Sequence, residues 1–292
     1  MAGWVATTRP ISDAAGPEQA RREFGGQLRA LRRKAGLTGD QLAMRLGWSQ
    51  AKVSKTETGK TMPTVADVRA FAEAVGATQG ETASLVKRFE GLATEVTGWR
   101  TLLRSGILGS QQRVADQEAA TTTTRQLASA IVPSLLQTAD YARIMLTDGP
   151  DPTVDVAVGV QARLRRQEAL YALGKTFHFV ILEDVLRRRV APVATLAVQM
   201  DRIGQLSTLP NVHIALVPTD RRLPVPPLHG FRILDDRQVT IELETGAVHA
   251  HSETDIAYYR RIFDALDAVS EHDDALRRRL NALAEHFHSL TD

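Results

Sequence analysis

The segment Leu37-Thr38-Gly39-Asp40-Gln41-Leu42-Ala43-Met44-Arg45-Leu46-Gly47-Trp48-Ser49-Gln50-Ala51-Lys52-Val53-Ser54-Lys55-Thr56-Glu57-Thr58-Gly59 decides the fold of the first hundred residues. Thr38 is placed to cap a helix with apolar positions Leu42, Ala43 and Leu46, and Gly47 closes it after about two turns. Ser49 caps a second short helix, Gln50 to about Thr58, which Gly59 ends. Two short helices joined by Gly47-Trp48-Ser49, with small Ala43 permitting close approach, predict a helix-turn-helix.

The flanking sequence supplies the helices that such a pair packs against. From Glu18 to Ala35, Phe24, Leu28, Leu31 and Ala35 recur at helical spacing, while Arg21, Arg22, Arg29, Arg32 and Arg33 fall mostly on the other faces. Downstream, Thr64 caps a fourth helix carrying Val65, Val68, Phe71, Ala72 and Val75 to Gly76. A fifth is expected from about Gly80 to Val96, with Leu85, Val86, Phe89 and Leu92 inward. Residues 1–17 lack the basic start and apolar run of a secretory signal and read as a flexible tail. The expected organisation is therefore a tail over 1–17, an all-α five-helix domain over 18–96, and a second domain over 97–292.

Charge points the same way. The whole chain carries a formal +2, yet residues 18–60 hold ten Lys/Arg against four Asp/Glu. A cationic patch confined to one segment suits a polyanion at one end of the molecule, although a solvated basic helix face gives the same count. The absence of cysteine excludes disulfide scaffolds and thiolate metal sites and fits a reducing cytoplasm. No stretch approaches the roughly 18 consecutive apolar residues of a membrane-spanning helix, so no membrane partner is expected.

The order Leu37-Thr38, Leu42-Ala43, Leu46-Gly47, Ser49-Gln50, Val53-Ser54, Glu57, Gly59 and Pro63 resembles the DNA-binding domain of the lambda-repressor/Cro-like (XRE) regulators. The resemblance implies that residues 50–58 form a recognition helix lying in the major groove of double-stranded DNA. Gln50 is then placed to read a base edge, Ala51 to sit against a thymine methyl, and Lys55 to donate to guanine. Lys52, Ser54 and Lys60 are placed for phosphates, as are the helix starts at Thr38, Gly39 and Ser49. The resemblance also pairs Glu57 with Arg32 on the first helix as a structural ion pair. Three departures stand out: Gly39 where a phosphate-binding Gln is common, Thr56 where Ile or Leu is usual, and Trp48 in the turn. One such domain covers about a half-site, so a homodimer or a partner is expected.

Beyond Gly98 the pattern changes. Trp99, Leu102, Leu103 and the stretch 105–110 read as a junction. A strand over Arg125–Val132, a helix over Ser134–Leu146, a break at Asp148–Pro152 and a long helix over Val154–Leu173 follow. Strands are expected at 177–182, 212–217, 231–234, 239–243 and 248–251, with a helix over 193–206 and two closing helices, 253–269 and 272–290. The fold class expected is an α+β domain with a mostly antiparallel sheet. Leu276, Leu280, Leu283, Phe287 and Leu290 form a narrow seam suited either to a dimer contact or to packing within the domain.

Three segments here, Val132–Ala142, Ala162–Gln167 and Leu182–Arg188, resemble the actinobacterial WhiJ-like regulators, whose C-terminal domain is antitoxin-like. That resemblance implies a transcription factor whose second domain receives an effector or a small partner protein. An antitoxin-like autoregulator of a two-protein module is the alternative, and an enzyme fused to a DNA-targeting domain a remote one. No phosphate loop, nucleophile elbow or zinc motif is present, so neither catalysis nor a cofactor nor a metal is expected. His249-x-His251 lacks a third nearby ligand, and Asp235-Asp236 reads as a turn. The arginines of Arg163-Leu164-Arg165-Arg166 read as an exposed helix face, or as receivers of an anion or acidic partner.

Overall fold

The computed structural model describes residues 17–92, 94–98, 106–147, 155–243 and 246–290. The expected tail, apart from Pro17, the core of the expected junction at 99–105 and the expected break at 148–152 lie outside these residues. The chain divides into two compact units, Met1–Glu95 and Val96–Asp292.

Among the described residues the first unit holds five helices: α1 (Pro17–Lys34), α2 (Gly39–Leu46), α3 (Gln50–Glu57), α4 (Val65–Ala74) and α5 (Gln79–Leu92). Their starts are set by side chains that accept otherwise unpaired N–H groups. Thr38 Oγ1 accepts from Gln41 N while Gln41 Oε1 accepts from Thr38 N. Ser49 Oγ accepts from Lys52 N, and Thr64 and Asp67 cap α4 reciprocally. Phe24, Leu28, Leu42, Val53, Val68, Phe71, Leu85 and Phe89 make a closed core, with Trp48 packed against it. The fifth helix stops at Leu92, short of the expected Val96, and Thr94–Gly98 is a strand (β1). Thr94, Val96 and Thr97 are β-branched, and such residues fit a pleat better than a helical turn.

Backbone touches backbone where α1 crosses the end of α3. A Cβ on Gly25 would stand 2.7 Å from the carbonyl oxygens of both Thr56 and Glu57. Gly59, with φ +69, would place a Cβ 2.8 Å from the backbone of Arg21 and Arg22. Only glycine permits either approach.

The second unit is a mixed sheet with helices on both faces. Its strands are β2 (Thr123–Ala128), β3 (Thr176–Leu182), β4 (Val212–Val217), β5 (Phe231–Leu234), β6 (Gln238–Leu243) and β7 (Gly246–Ala250). The sheet order is β1-β7-β6-β5-β2-β3-β4. β2 pairs β3 in parallel (Thr124 opposite Phe177), and β3 pairs β4 in parallel (Phe177 opposite Val212). The β2–β5, β5–β6 and β6–β7 pairs are antiparallel, so the expected α+β class with a mostly antiparallel sheet holds. Connection length follows this split in part: helices bridge the parallel pairs and short connections join β5–β6 and β6–β7, whereas β2 and β5, distant in sequence, meet as non-consecutive neighbours. At the β5–β6 turn Asp235 and Asp236 both take φ 51, and Asp235 Oδ1 accepts from Thr122 N and Thr123 N.

Among the described residues seven α-helices accompany these strands: α6 (Gly106–Ala120), α7 (Ala139–Thr147), α8 (Val156–Arg166), α9 (Glu183–Arg187), α10 (Val193–Leu206), α11 (Glu253–Asp267) and α12 (Asp273–His288). Phe177, Phe179, Ile181, Ile214 and Leu216 meet α10 and α12 on one face, and Val180, Ala215, Ile233 and Val239 meet α11 on the other. Three sequence expectations change. Gly106–Ser110, read as junction, opens α6, since two glycines do not break a helix that packing supports. The expected helix from Ser134 splits into a 3-10 turn and α7, because Thr138 N donates to Gln199 Oε1 instead of a helical carbonyl. The helix from Val154 tightens to a 3-10 turn at Gln167–Tyr171, where the Gln167 amide donates to the Gln137 carbonyl. The seam of α12 is consumed internally, with Leu276, Leu280, Leu283 and Phe287 buried in this unit's own core, so it offers no dimer contact.

The two adjacent glycines of α1 separate close approach from propensity. Gly25→Ala should destabilise the chain by about 1–3 kcal/mol, because backbone carbonyls cannot yield. Gly26→Ala, with nothing within 4 Å of its added methyl, should stabilise by up to about 1 kcal/mol. Denaturant midpoints of the two variants check the contrast, and equal losses would contradict the packing.

Candidate nucleic-acid interface

The helix α3 is eight residues long and divides cleanly into two faces. Val53, Thr56 and Glu57 are buried, whereas Gln50, Ala51, Ser54 and Lys55 are exposed and form one continuous stripe. Lys60 is exposed just past its end. The start of α2 lies alongside, since a Cβ on Gly39 would stand 3.9 Å from Gln50 Nε2. Glycine at this position therefore leaves the flank of the Gln50 amide open. Thr38 and Ser49, both exposed, use their hydroxyl oxygens to accept from the backbone, which leaves their O–H groups as donors. Two helix N-termini, flanked by hydroxyl donors and backed by lysines, make a surface suited to phosphate.

Burial of Glu57 is what aims this stripe. Its Oε1 accepts from Arg32 Nε at 2.5 Å and its Oε2 from Arg32 Nη2 at 2.8 Å, a planar fork from α1 to α3. Arg32 Nη1 also donates to the Leu37 carbonyl at 2.7 Å, reaching the loop before α2. The hydrogen bonds to Glu57 hold the Arg32 pKa above its ordinary value, against a smaller opposing effect of burial. Arg29 stands 3.9 Å from the same carboxylate and is half exposed. Thr56 is buried with its hydroxyl unpaired, so the inner face of α3 is less well satisfied than an aliphatic residue would make it.

Lys52 has a different environment from Lys55 and Lys60. Its ammonium lies 2.8 Å from Asp67 Oδ1 and 3.8 Å from the centre of the Trp48 ring. Burial alone would raise the Asp67 pKa, but the bonds from Lys52 and from Thr64 outweigh it and hold the carboxyl below its usual value. The structure thus brings Lys52, Trp48 and Asp67 together as a clasp between the turn, α3 and α4. Sequence reasoning missed Asp67 and Gly25. The Thr64-x-x-Asp67 spacing was a visible capping signal for the first, whereas nothing local marks the second.

In the second unit Arg166 is buried rather than exposed, forked onto Glu118. His249 Nδ1 sits within 3.0 Å of Gln238 Nε2 and 3.1 Å of Thr240 Oγ1. Among the described residues no group of three or more His, Asp or Glu is placed to hold a metal ion, and no helix is long and apolar enough to cross a membrane.

Comparison with known proteins follows the same division. A family model described as a helix-turn-helix domain matches residues 23–85. A second, described as a domain of unknown function (DUF5753), matches residues 111–282, more than half of the chain. The chain belongs to the DUF5753 family. Among curated proteins none matches it. Among solved structures, the archaeal chromatin protein TrmBL2, whose description reports a novel mode of DNA binding, is similar over 62% of this chain at 11% identity and TM-score 0.29. This DUF5753 chain spans about half of that protein, 53%, and a likeness so slight carries no argument. The first unit of this DUF5753 protein is a helix-turn-helix domain on its own match and geometry.

The fork predicts an asymmetry between two neighbouring arginines. Arg32→Ala leaves Glu57 buried and unpaired and should cost about 3 kcal/mol or more, whereas Arg29→Ala should cost under about 1 kcal/mol. Thermal melts of both variants test this, and equal shifts would remove the fork from its structural role.

Proposed function

We propose that this protein is a sequence-specific DNA-binding transcriptional regulator of the XRE, Cro-like type. Its helix α3 enters the major groove, and its second unit receives a small-molecule effector or a small partner protein. One observation carries the reading: Gln50, Ala51, Ser54 and Lys55 form an outward stripe on a short helix whose opposite face is locked to α1. Gln50 offers a paired donor and acceptor that match adenine, and Ala51 is small enough to meet a thymine methyl. Lys55, one turn on from Ala51, reaches for guanine. Thr38, Gly39, Ser49, Ser54 and Lys60 surround these residues and are assigned to phosphates, which fix register without reading sequence.

The cytoplasm, where operator DNA is found, is the expected compartment, and a homodimer reading two half-sites supplies the specificity that one domain lacks. The motifs of the second unit resemble those of the actinobacterial WhiJ-like regulators. The mode of control we infer is that a ligand altering the pairing of two copies moves one recognition helix off its half-site.

Two variants distinguish readers of bases from struts. Gln50→Ala should cost about 1–3 kcal/mol on the preferred site and relax selectivity at one base pair, measured by in vitro selection followed by titration. Lys52→Met, which keeps the aliphatic stem but loses the bond to Asp67, should lower the melting temperature. It should leave the salt dependence of DNA affinity nearly unchanged, whereas Lys60→Met reduces the slope by about 0.9. An equal fall of slope for Lys52→Met would return Lys52 to the phosphate set.

A further inference from the structure

Arginines in this protein meet carboxylates in one recurring way. Arg32 offers its Nε and Nη2 to the two oxygens of Glu57, Arg166 to those of Glu118 and Arg279 to those of Glu271, while Arg187 offers the same edge to Oε1 of Glu183 alone. This edge of the guanidinium is the planar fork that matches two oxygens. Arg163, one turn before Arg166 on α8, has no carboxylate bonded to this edge among the described residues. Its Nη1 donates to Gln137 Oε1 at 2.7 Å, and its Nε is buried without an acceptor.

The surroundings hold this edge in place, and the charge of Glu242 offsets that of Arg163 only in part. Gln137 is itself buried and fixed, donating to the Val132 carbonyl at 2.7 Å, while its own carbonyl accepts from Gln167. The Glu118 carboxylate is already forked by Arg166 and lies 3.8 Å from Arg232, and Glu242 is bonded to Arg232. Burial first, and then the neighbouring charge of Arg166, pull the Arg163 pKa down to about 10, so it remains a cation at neutral pH. A buried donor without an acceptor costs free energy that an incoming anion recovers.

We propose that the Nε/Nη2 edge of Arg163 is the receiving group for a small-molecule oxyanion, a carboxylate or a phosphate. A small molecule fits better than an acidic protein surface, because the guanidinium is sunk and its Nε has no exposed area. A small anion arriving at Nη2 needs only a turn of the last side-chain torsions to engage both nitrogens. The inference gives a chemical class to the effector proposed for the second unit and rests on that reading. Its test uses no DNA, so its failure and the failure of DNA recognition are separate results.

The experiment is calorimetric titration and thermal melting of the full chain with oxalate and with inorganic phosphate, at constant ionic strength against chloride. Wild-type protein should bind one of the two at a single site and melt higher in its presence, and the anion that does so separates carboxylate from phosphate recognition. Arg163→Lys, which keeps the charge but lacks the fork, should weaken binding at least about tenfold. Arg163→Met should abolish the shift, whatever its own melting temperature without anion, which the lost bond to Gln137 lowers and the removal of a buried cation raises. Arg165→Met, an exposed neighbour on α8, should bind as wild type does. Absence of any shift with either anion, or an equal shift in Arg163→Met, overturns the proposal.

Discussion

Both oxygens of Glu57 are held by one guanidinium, and the orientation of α3 depends on that hold. A helix of two turns has no stability of its own, because nucleation costs more than so few hydrogen bonds return. Its apolar contribution is also thin, since Val53 is buried beside a threonine whose hydroxyl finds no partner. The missing constraint comes from α1 in two forms: the Arg32 fork, which fixes rotation, and the contact at Gly25, which fixes distance. A direction and a distance together place the stripe from Gln50 to Lys55 on a rigid base, which a base-reading surface requires.

The second unit applies the same chemistry to a different end. Gln137, Gln167 and Gln199 are buried, and each donates to a backbone carbonyl of the segment 132–137. Two of the motif segments that carry the resemblance, Val132–Ala142 and Ala162–Gln167, thus contribute to a buried polar network, which Gln199 completes from α10. Such a network is favourable only when every member is satisfied. The unsatisfied nitrogen of Arg163 is therefore the place where the pattern is incomplete.

The first unit was legible because its signals are local. Caps, glycine stops and helical spacing each act within a few residues, and all five helices fall within a few positions of their expected ends. The strand at Thr94–Gly98 was not legible, since its short run, with three β-branched residues, extends a helical pattern until a neighbouring strand claims it. The alternation of the second unit gave its strands and class, but not their order, because pairing is settled by contacts distant in sequence. The fate of the α12 seam was undecidable from spacing alone, as the same periodicity serves a coiled coil and a core helix. In the candidate site, exposure of Gln50 and Lys55 follows from helical phase. The capture of Lys52 by Asp67 depends instead on where α4 comes to lie.

Ionic strength acts differently on the two sets of charges in the first unit. Lys55 and Lys60 are exposed, and the contacts with DNA proposed for them would weaken steeply with salt. The Arg32–Glu57 fork, with side chains 11% and 5% exposed, is screened far less than a surface pair. A rise in salt can then detach the protein from a polyanion while the helix that reads it stays fixed, so release and unfolding are separate events. That separation is possible only because the structural charges are buried and the binding charges are not.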